Sequence, residues 1–239
     1  MRRLGQHFLT DPRILGRIAD ALDPVPGETV LEIGPGKGSL TRVLLGRGLK
    51  VVAIEKDRRL AEGLAGVDVI SGDALRVEWP RVVKVIGNIP YYITSPLIEK
   101  ALSPPPRKCV VFLVQAEVAD RLAAPPGGKT YGALSVGVQA VCRVEKLFEV
   151  APGAFKPPPK VRSAVVRLTP LGAPLIRAEE VGPFRVFVTA CFSKRRKQLK
   201  NAVPGLNAAA IRALGFDPEV RAERLAPEAF VRLMRAGRP

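Results

Sequence analysis

Three acids and a glycine-rich turn in the front half of this chain have the type and spacing to hold a ligand. In Glu32-Ile33-Gly34-Pro35-Gly36-Lys37-Gly38, an apolar run enters a glycine turn and an amphipathic stretch leaves it. Glycines permit left-handed backbone and let a ligand touch bare main chain. The G-x-G-x-G spacing differs from the dinucleotide fingerprint, and the Gly-Lys-Ser/Thr of a phosphate loop is absent. Taken alone, the turn also suits an ordinary tight strand-to-helix connection. Glu55 follows Gly38 by 17 residues and ends the next apolar run, where an acid accepts hydrogen bonds from ribose hydroxyls. Asp73 ends the third run and suits an adenine amine as an acceptor. Either acid singly is equally at home as a solvated strand end, but three strand ends in succession point to one ligand edge.

Asn88-Ile89-Pro90-Tyr91 ends the fourth run. An exocyclic amine on an aromatic base is a poor nucleophile, because its lone pair is conjugated into the ring. A side-chain amide oxygen and a main-chain carbonyl that accept its hydrogens favour a tetrahedral nitrogen and free that lone pair. Asn88 supplies such an oxygen, and Pro90 has no N–H to intrude as a donor. Tyr91 offers a face to a base flipped out of its stack. These three are the candidate catalytic residues. No metal centre is expected, since the single histidine, His7, and the three dispersed cysteines, Cys109, Cys142 and Cys191, show no metal-ligand spacing. Two of the cysteines sit in apolar runs and read as buried thiols of a cytoplasmic protein.

Positioning such groups requires an alternation of strands and helices. Asp11-Pro12 suits the start of a helix with Ile14, Leu15, Ile18 and Leu22 on its apolar face. Apolar, β-branched runs at 29–33, 50–54, 67–70, 82–86 and 109–114 predict strands, and helices are expected near 39, over 58–64 and after Pro96. Strands of this kind separated by helices imply a parallel sheet covered on both faces. Beyond Gln115 the pattern changes to a loop at 125–131, a helix over 133–141 and a terminal strand pair at 144–150 and 161–168. Between that pair, Phe155-Lys-Pro-Pro-Pro-Lys160 is stiff and extended. A linker is expected over 169–175, then helices over 184–192, 194–203, 207–214 and 227–234. The domains are therefore expected at 1–169 and 170–239.

With 239 residues the chain is long enough to bury a real core. Lys and Arg number 38 against 22 Asp and Glu, a net charge of +16, which calls for a polyanionic partner. Residues 170–239 are the more densely charged part, with 13 basic against 6 acidic residues, compared with 25 against 16 in 1–169. Lys194, Arg195, Arg196, Lys197 and Lys200 form a basic cluster on an expected helix; its two readings are a solvated face and a set of phosphate contacts. No run approaches the ~20 apolar residues that span a bilayer, so no membrane role is expected. The opening MRRLGQHFLTDPRIL has no apolar core of a signal peptide.

Gly5-Gln6-His7-Phe8-Leu9, the E-I-G-P-G-K-G turn, Glu55, Gly72-Asp73-Ala74, N-I-P-Y and Phe155-Lys-Pro-Pro-Pro-Lys-Val-Arg-Ser163 occur in the order in which they are found in the ribosomal RNA adenine dimethyltransferases. The chain resembles that family over nearly its whole length. Its tail segments Phe192-Ser-Lys-Arg-Arg-Lys-Gln-Leu and Arg221–Phe230 are similar to the small-subunit, kasugamycin-sensitivity group rather than to the macrolide-resistance enzymes that modify large-subunit RNA. The resemblance implies a Rossmann-like S-adenosylmethionine-dependent methyltransferase domain with a small C-terminal helical domain. It implies cofactor contacts at His7, Leu9, Gly34, Glu55, Asp73 and Asn88, with Phe155 and the basic cluster set against RNA. It also implies a monomer that transfers two methyl groups to adenine amines of ribosomal RNA within a small-subunit particle. Phe155 has a second reading, packing under the sheet. The rival functions are a large-subunit methyltransferase and a non-catalytic RNA-binding assembly factor, while a DNA adenine methyltransferase would carry Asp-Pro-Pro-Tyr in place of N-I-P-Y.

Overall fold

The structure, a computed structural model, describes residues 7–103, 107–194 and 196–237. In chain order the elements are β1 (Phe8–Leu9), α1 (Pro12–Asp20), β2 (Thr29–Ile33), α2 (Ser39–Gly46), β3 (Lys50–Glu55), α3 (Arg58–Glu62), β4 (Asp68–Ser71), β5 (Lys84–Asn88), α4 (Thr94–Leu102) and β6 (Cys109–Gln115). They continue through α5 (Ala116–Ala123), α6 (Ala133–Gln139), β7 (Cys142–Val150), β8 (Phe155–Lys156) and β9 (Ser163–Pro170). The helices α7 (Val181–Ser193), α8 (Leu199–Ala202), α9 (Ala208–Ala213) and α10 (Pro227–Ala236) complete the chain. Two compact units result: Met1–Ala119 with Glu145–Pro170, and Asp120–Val144 with Leu171–Pro239. The division beside residue 170 lies where the linker was expected. The excursion Asp120–Val144 into the second unit was not expected, because contacts remote in sequence create it.

The first unit is built on a seven-stranded sheet in the order β4-β3-β2-β5-β6-β9-β7. The first five run parallel, and β9 lies antiparallel on β6 with Phe112 opposite Val166. Strand β6 is buried along Cys109–Val114, as a central strand covered on both faces must be. Helix α1 begins where Asp11 accepts hydrogen bonds from the amides of Arg13 (2.9 Å) and Ile14 (3.2 Å), with Pro12 in the first turn. Such a cap contributes about 1 kcal/mol. Leu15, Ile18 and Ala19 of α1 then pack with Leu40, Leu44, Val30 and Val111. In β5, a Cβ at Gly87 would sit 2.5 Å from the Ile33 carbonyl oxygen, so a side chain there would push β5 off β2 next to Asn88. The short β1 pairs antiparallel with β8, Phe8 opposite Lys156 and Leu9 opposite Phe155.

In the second unit Tyr131 is fully buried and its hydroxyl donates to the Leu225 carbonyl at 2.8 Å. Around it Phe184, Val188, Cys191, Ile211, Phe230 and Leu233 form the core. Phe192 stacks on Phe230 with centroids 5.5 Å apart. Buried Glu180 receives two hydrogen bonds from Arg235, at 2.7 and 3.0 Å, and one from the Arg177 amide at 2.9 Å. These donors hold its carboxyl down at about 2.

One expectation about helices fails, and one helix had none. Helix α5 was not foreseen. The helix expected over 194–203 is broken: α7 stops at Ser193, whose hydroxyl turns back to the Ala190 carbonyl at 2.7 Å. Gln198 is extended and bridges Arg221, and the Leu199 amide donates to Val220 at 2.7 Å before the short α8 begins. Neither partner is local in sequence, so helical periodicity could not reveal the break.

Candidate active site

Strands β4, β3, β2 and β5 are adjacent and parallel, so their carboxyl ends line up along one sheet edge. That edge is where open α/β sheets bind ligands. A single pocket in the first unit collects His7, Leu9, Gly34, Glu55, Asp73, Asn88, Pro90 and Tyr91. The residues singled out at the four strand ends and at the N-terminal strand are thus brought together.

The glycine turn leaves β2 with Gly34, Gly36 and Gly38 all left-handed, at φ 66°, 57° and 72°. At Gly36 the need is also steric, because a Cβ would lie 2.9 Å from the Phe8 ring. Glu55, almost fully buried, fixes the turn: one carboxylate oxygen accepts the Gly36 amide at 3.0 Å and the other accepts the Asp57 amide at 2.9 Å. Beneath it lies Glu32, 1% exposed, whose carboxylate accepts the Thr41 hydroxyl at 2.7 Å. Burial, with a smaller contribution from nearby Glu55, pushes the Glu32 carboxyl up to about 7, and the Thr41 hydrogen bond opposes this.

Asp73 accepts Lys56 Nζ at 2.9 Å and the Leu75 amide at 3.0 Å. Both hold its carboxyl below the usual range, the lysine most. The segment after it is anchored by Trp79, whose indole N–H reaches the Ala74 carbonyl at 2.8 Å, and by Lys100 of α4, which donates to the carbonyls of Leu75 and Val77.

Asn88 Nδ2 donates to the His7 carbonyl at 3.0 Å. A carbonyl can only accept, so the amide has one permitted orientation, and among the described residues Oδ1 is left unclaimed. The His7 ring is held in turn, Nδ1 donating to the Pro157 carbonyl at 2.9 Å, and it stacks on Tyr91 at 6.1 Å between centroids. The Tyr91 hydroxyl lies 2.6 Å from Ser163 Oγ, and partial burial raises its pKa. Pro90 starts a single 3-10 turn over Tyr91–Ile93, its carbonyl accepting the Ile93 amide at 3.1 Å.

Phe155 is corrected by the structure. At 2% exposure it packs with Leu9, Leu15 and Val165, so it presents no face to a base; the packing reading is the one observed. The basic cluster does not lie on one helix. Lys194, Arg196 and Lys197 are exposed on the connection between α7 and α8, and Lys200 of α8 pairs with Glu219 at 2.6 Å. Arg195 lies outside the described residues. Sequence reasoning gave no part to Phe8, Lys56, Tyr92 or Ser163, the first three of which line the pocket. Their signal was adjacency to Leu9, Glu55 and Tyr91, and for Ser163 the end of the proline motif. No cluster suited to a metal ion occurs among the described residues, and none of their helices is long and apolar enough to cross a membrane.

The family model for ribosomal RNA adenine dimethylase matches residues 1–236. The chain is similar to the ribosomal RNA small subunit methyltransferase A of Pseudomonas putida, with 44% identity across 97% of this chain and 92% of that protein. Against the protein of the same name from Gloeobacter violaceus the identity is 45%, over 98% and 92%. Among solved structures it is similar to a dimethyladenosine transferase from Plasmodium falciparum, with TM-score 0.80, 30% identity and coverage of 95% and 96%. It is also similar to the 23S rRNA methyltransferase ErmE, with TM-score 0.74, 29% identity and coverage of 96% and 98%.

Proposed function

Because this chain belongs to the ribosomal RNA adenine dimethylase family, we propose that it dimethylates the exocyclic amines of adjacent adenosines near the 3′ end of small-subunit (16S) ribosomal RNA, with S-adenosylmethionine as methyl donor. The observation that carries this reading is the oriented amide of Asn88, whose donor end is taken by the His7 carbonyl. Its oxygen is then available to accept a hydrogen from an adenine amine, and a main-chain carbonyl of the Ile89-Pro90 turn is a second acceptor. Both acceptors favour a tetrahedral nitrogen and free its lone pair for attack. The half-buried Tyr91 ring supports the base by stacking. The methylated amine is transiently cationic and gives its proton to water, so this chain needs no strong base. Catalysis rests on position and on polarisation of the amine.

The pocket fits S-adenosylmethionine by the chemistry of its donors and acceptors. Glu55 suits the ribose hydroxyls and Asp73 the adenine amine. Gly34 offers bare main chain, and His7 and Leu9 also line the pocket. When bound, the cofactor supplies an electrophilic methyl group on a sulfonium.

Small-subunit RNA is favoured over large-subunit RNA by the relatives that match nearly the whole chain at 44–45% identity, all named for the small subunit. Exposed Lys194, Arg196 and Lys197 support phosphate contact by the second unit, and Arg195 belongs to the same proposal. We read the protein as acting as a monomer in the cytoplasm on RNA within a small-subunit particle. The buried, unpaired Cys109, Cys142 and Cys191 suit that compartment. Supplying labelled S-adenosylmethionine to separated small and large ribosomal particles tests the substrate: label confined to small-subunit RNA is expected. Label on large-subunit RNA would favour the resistance-type activity, and no transfer to either would favour an assembly factor.

A further inference from the structure

Tyr91 is the one aromatic ring this reading sets against the target base, and its free end is tied to a residue 72 positions away. Ser163 opens β9, where it lies opposite Gln115 of β6, the Ala116 amide bonding to the Arg162 carbonyl beside it. The Ser163 side chain is fully buried on the sheet frame, and its Oγ sits 2.6 Å from the Tyr91 hydroxyl. A tyrosine ring anchored only at Cβ is free to swing its hydroxyl end between χ1 rotamers. Here the bond to Ser163 fixes the hydroxyl end, and with it the direction of the ring axis, while the His7 ring stacks at 6.1 Å between centroids.

We propose that Ser163 is a positioning residue: its hydroxyl holds the far end of Tyr91 and so keeps the ring in the one rotamer on which the target adenine stacks. The proposal rests on the function set out above, but its first consequence needs no substrate. In the chain's set of three tyrosines, NMR scalar couplings of labelled Tyr91 should report a single χ1 rotamer in wild type and rotamer averaging in Ser163→Ala. In single-turnover methylation of small-subunit particles, Ser163→Ala should slow methyl transfer about tenfold, the size of one ordinary hydrogen bond. Affinity for S-adenosylmethionine should not change. Tyr91→Phe, which keeps Ser163 and the ring, should lose a similar factor. The double variant should be no slower than either single one, because both remove the same bond. A merely structural role would move stability and leave this non-additivity absent. An unchanged single Tyr91 rotamer in Ser163→Ala, a wild-type transfer rate, or losses that multiply in the double variant would each overturn the proposal. If wild type modifies no small-subunit RNA, the substrate reading falls and the rotamer comparison alone decides Ser163.

Discussion

The Asn88 amide meets the His7 carbonyl with its nitrogen end, so Asn88→Asp tests orientation without changing size. An ionised aspartate would set two acceptors against each other and lose the hydrogen bond. Methyl transfer should fall on the order of 10²-fold at neutral pH, the range for losing a preorganised polar partner. It should partly recover as pH falls, because a protonated carboxyl again donates to His7. A pH–rate profile of the variant that stays flat would contradict this. Asp73→Ala should weaken S-adenosylmethionine by about 1–3 kcal/mol, the range for a lost acceptor, and calorimetry reads that directly. Lys56 already pairs with this acid, a competition no motif announces. The acids at strand ends were readable from sequence because strands and glycine turns fix them locally. The contacts His7 to Asn88 and Tyr91 to Ser163 were not, since they join segments 81 and 72 residues apart.

At the scale of elements, the end of β2 is set by the buried pair Glu32 and Glu55 beneath the glycine turn. The folded pKa of Glu32, about 7, lies above its ordinary 4.5. Between those values the folded state binds more protons than the unfolded chain, so this group's contribution to stability is full below 4.5 and is lost as pH rises through 7. Glu32→Gln keeps an acceptor for Thr41 and removes the charge. It should raise stability at pH 8 by of order 1–3 kcal/mol and flatten the decline between pH 5 and 8, as read from urea unfolding. Glu180 has the opposite sign. Its carboxyl is held at about 2, so its contribution is present above 4.5 and disappears as pH falls toward 2. The five parallel strands were legible because each is a short apolar run bounded by turn residues. The break after Ser193 was not, because a bridge to Arg221 interrupts a run with no glycine or proline.

For the whole molecule, the +16 charge is an affinity term, not a specificity term. Arg196→Gln with Lys197→Gln should weaken RNA binding across sequences and flatten its salt dependence by up to about two units of slope. Affinity for S-adenosylmethionine and the choice of adenosines should stay the same. Equal affinity at every salt concentration would make the segment a solvated surface. Charge density marked the C-terminal part of the chain, but could not say that Lys200 is committed to Glu219 or that Asp120–Val144 belongs to the second unit. The most direct test of the central claim is nucleoside-resolved mass mapping of small-subunit RNA after incubation with S-adenosylmethionine and either wild type or Asn88→Ala. The account predicts dimethyladenosine at two adjacent positions near the 3′ end with wild type, and unmodified adenosines with a folded Asn88→Ala at saturating cofactor. Near wild-type modification by that variant, or modification at scattered sites by wild type, would contradict it.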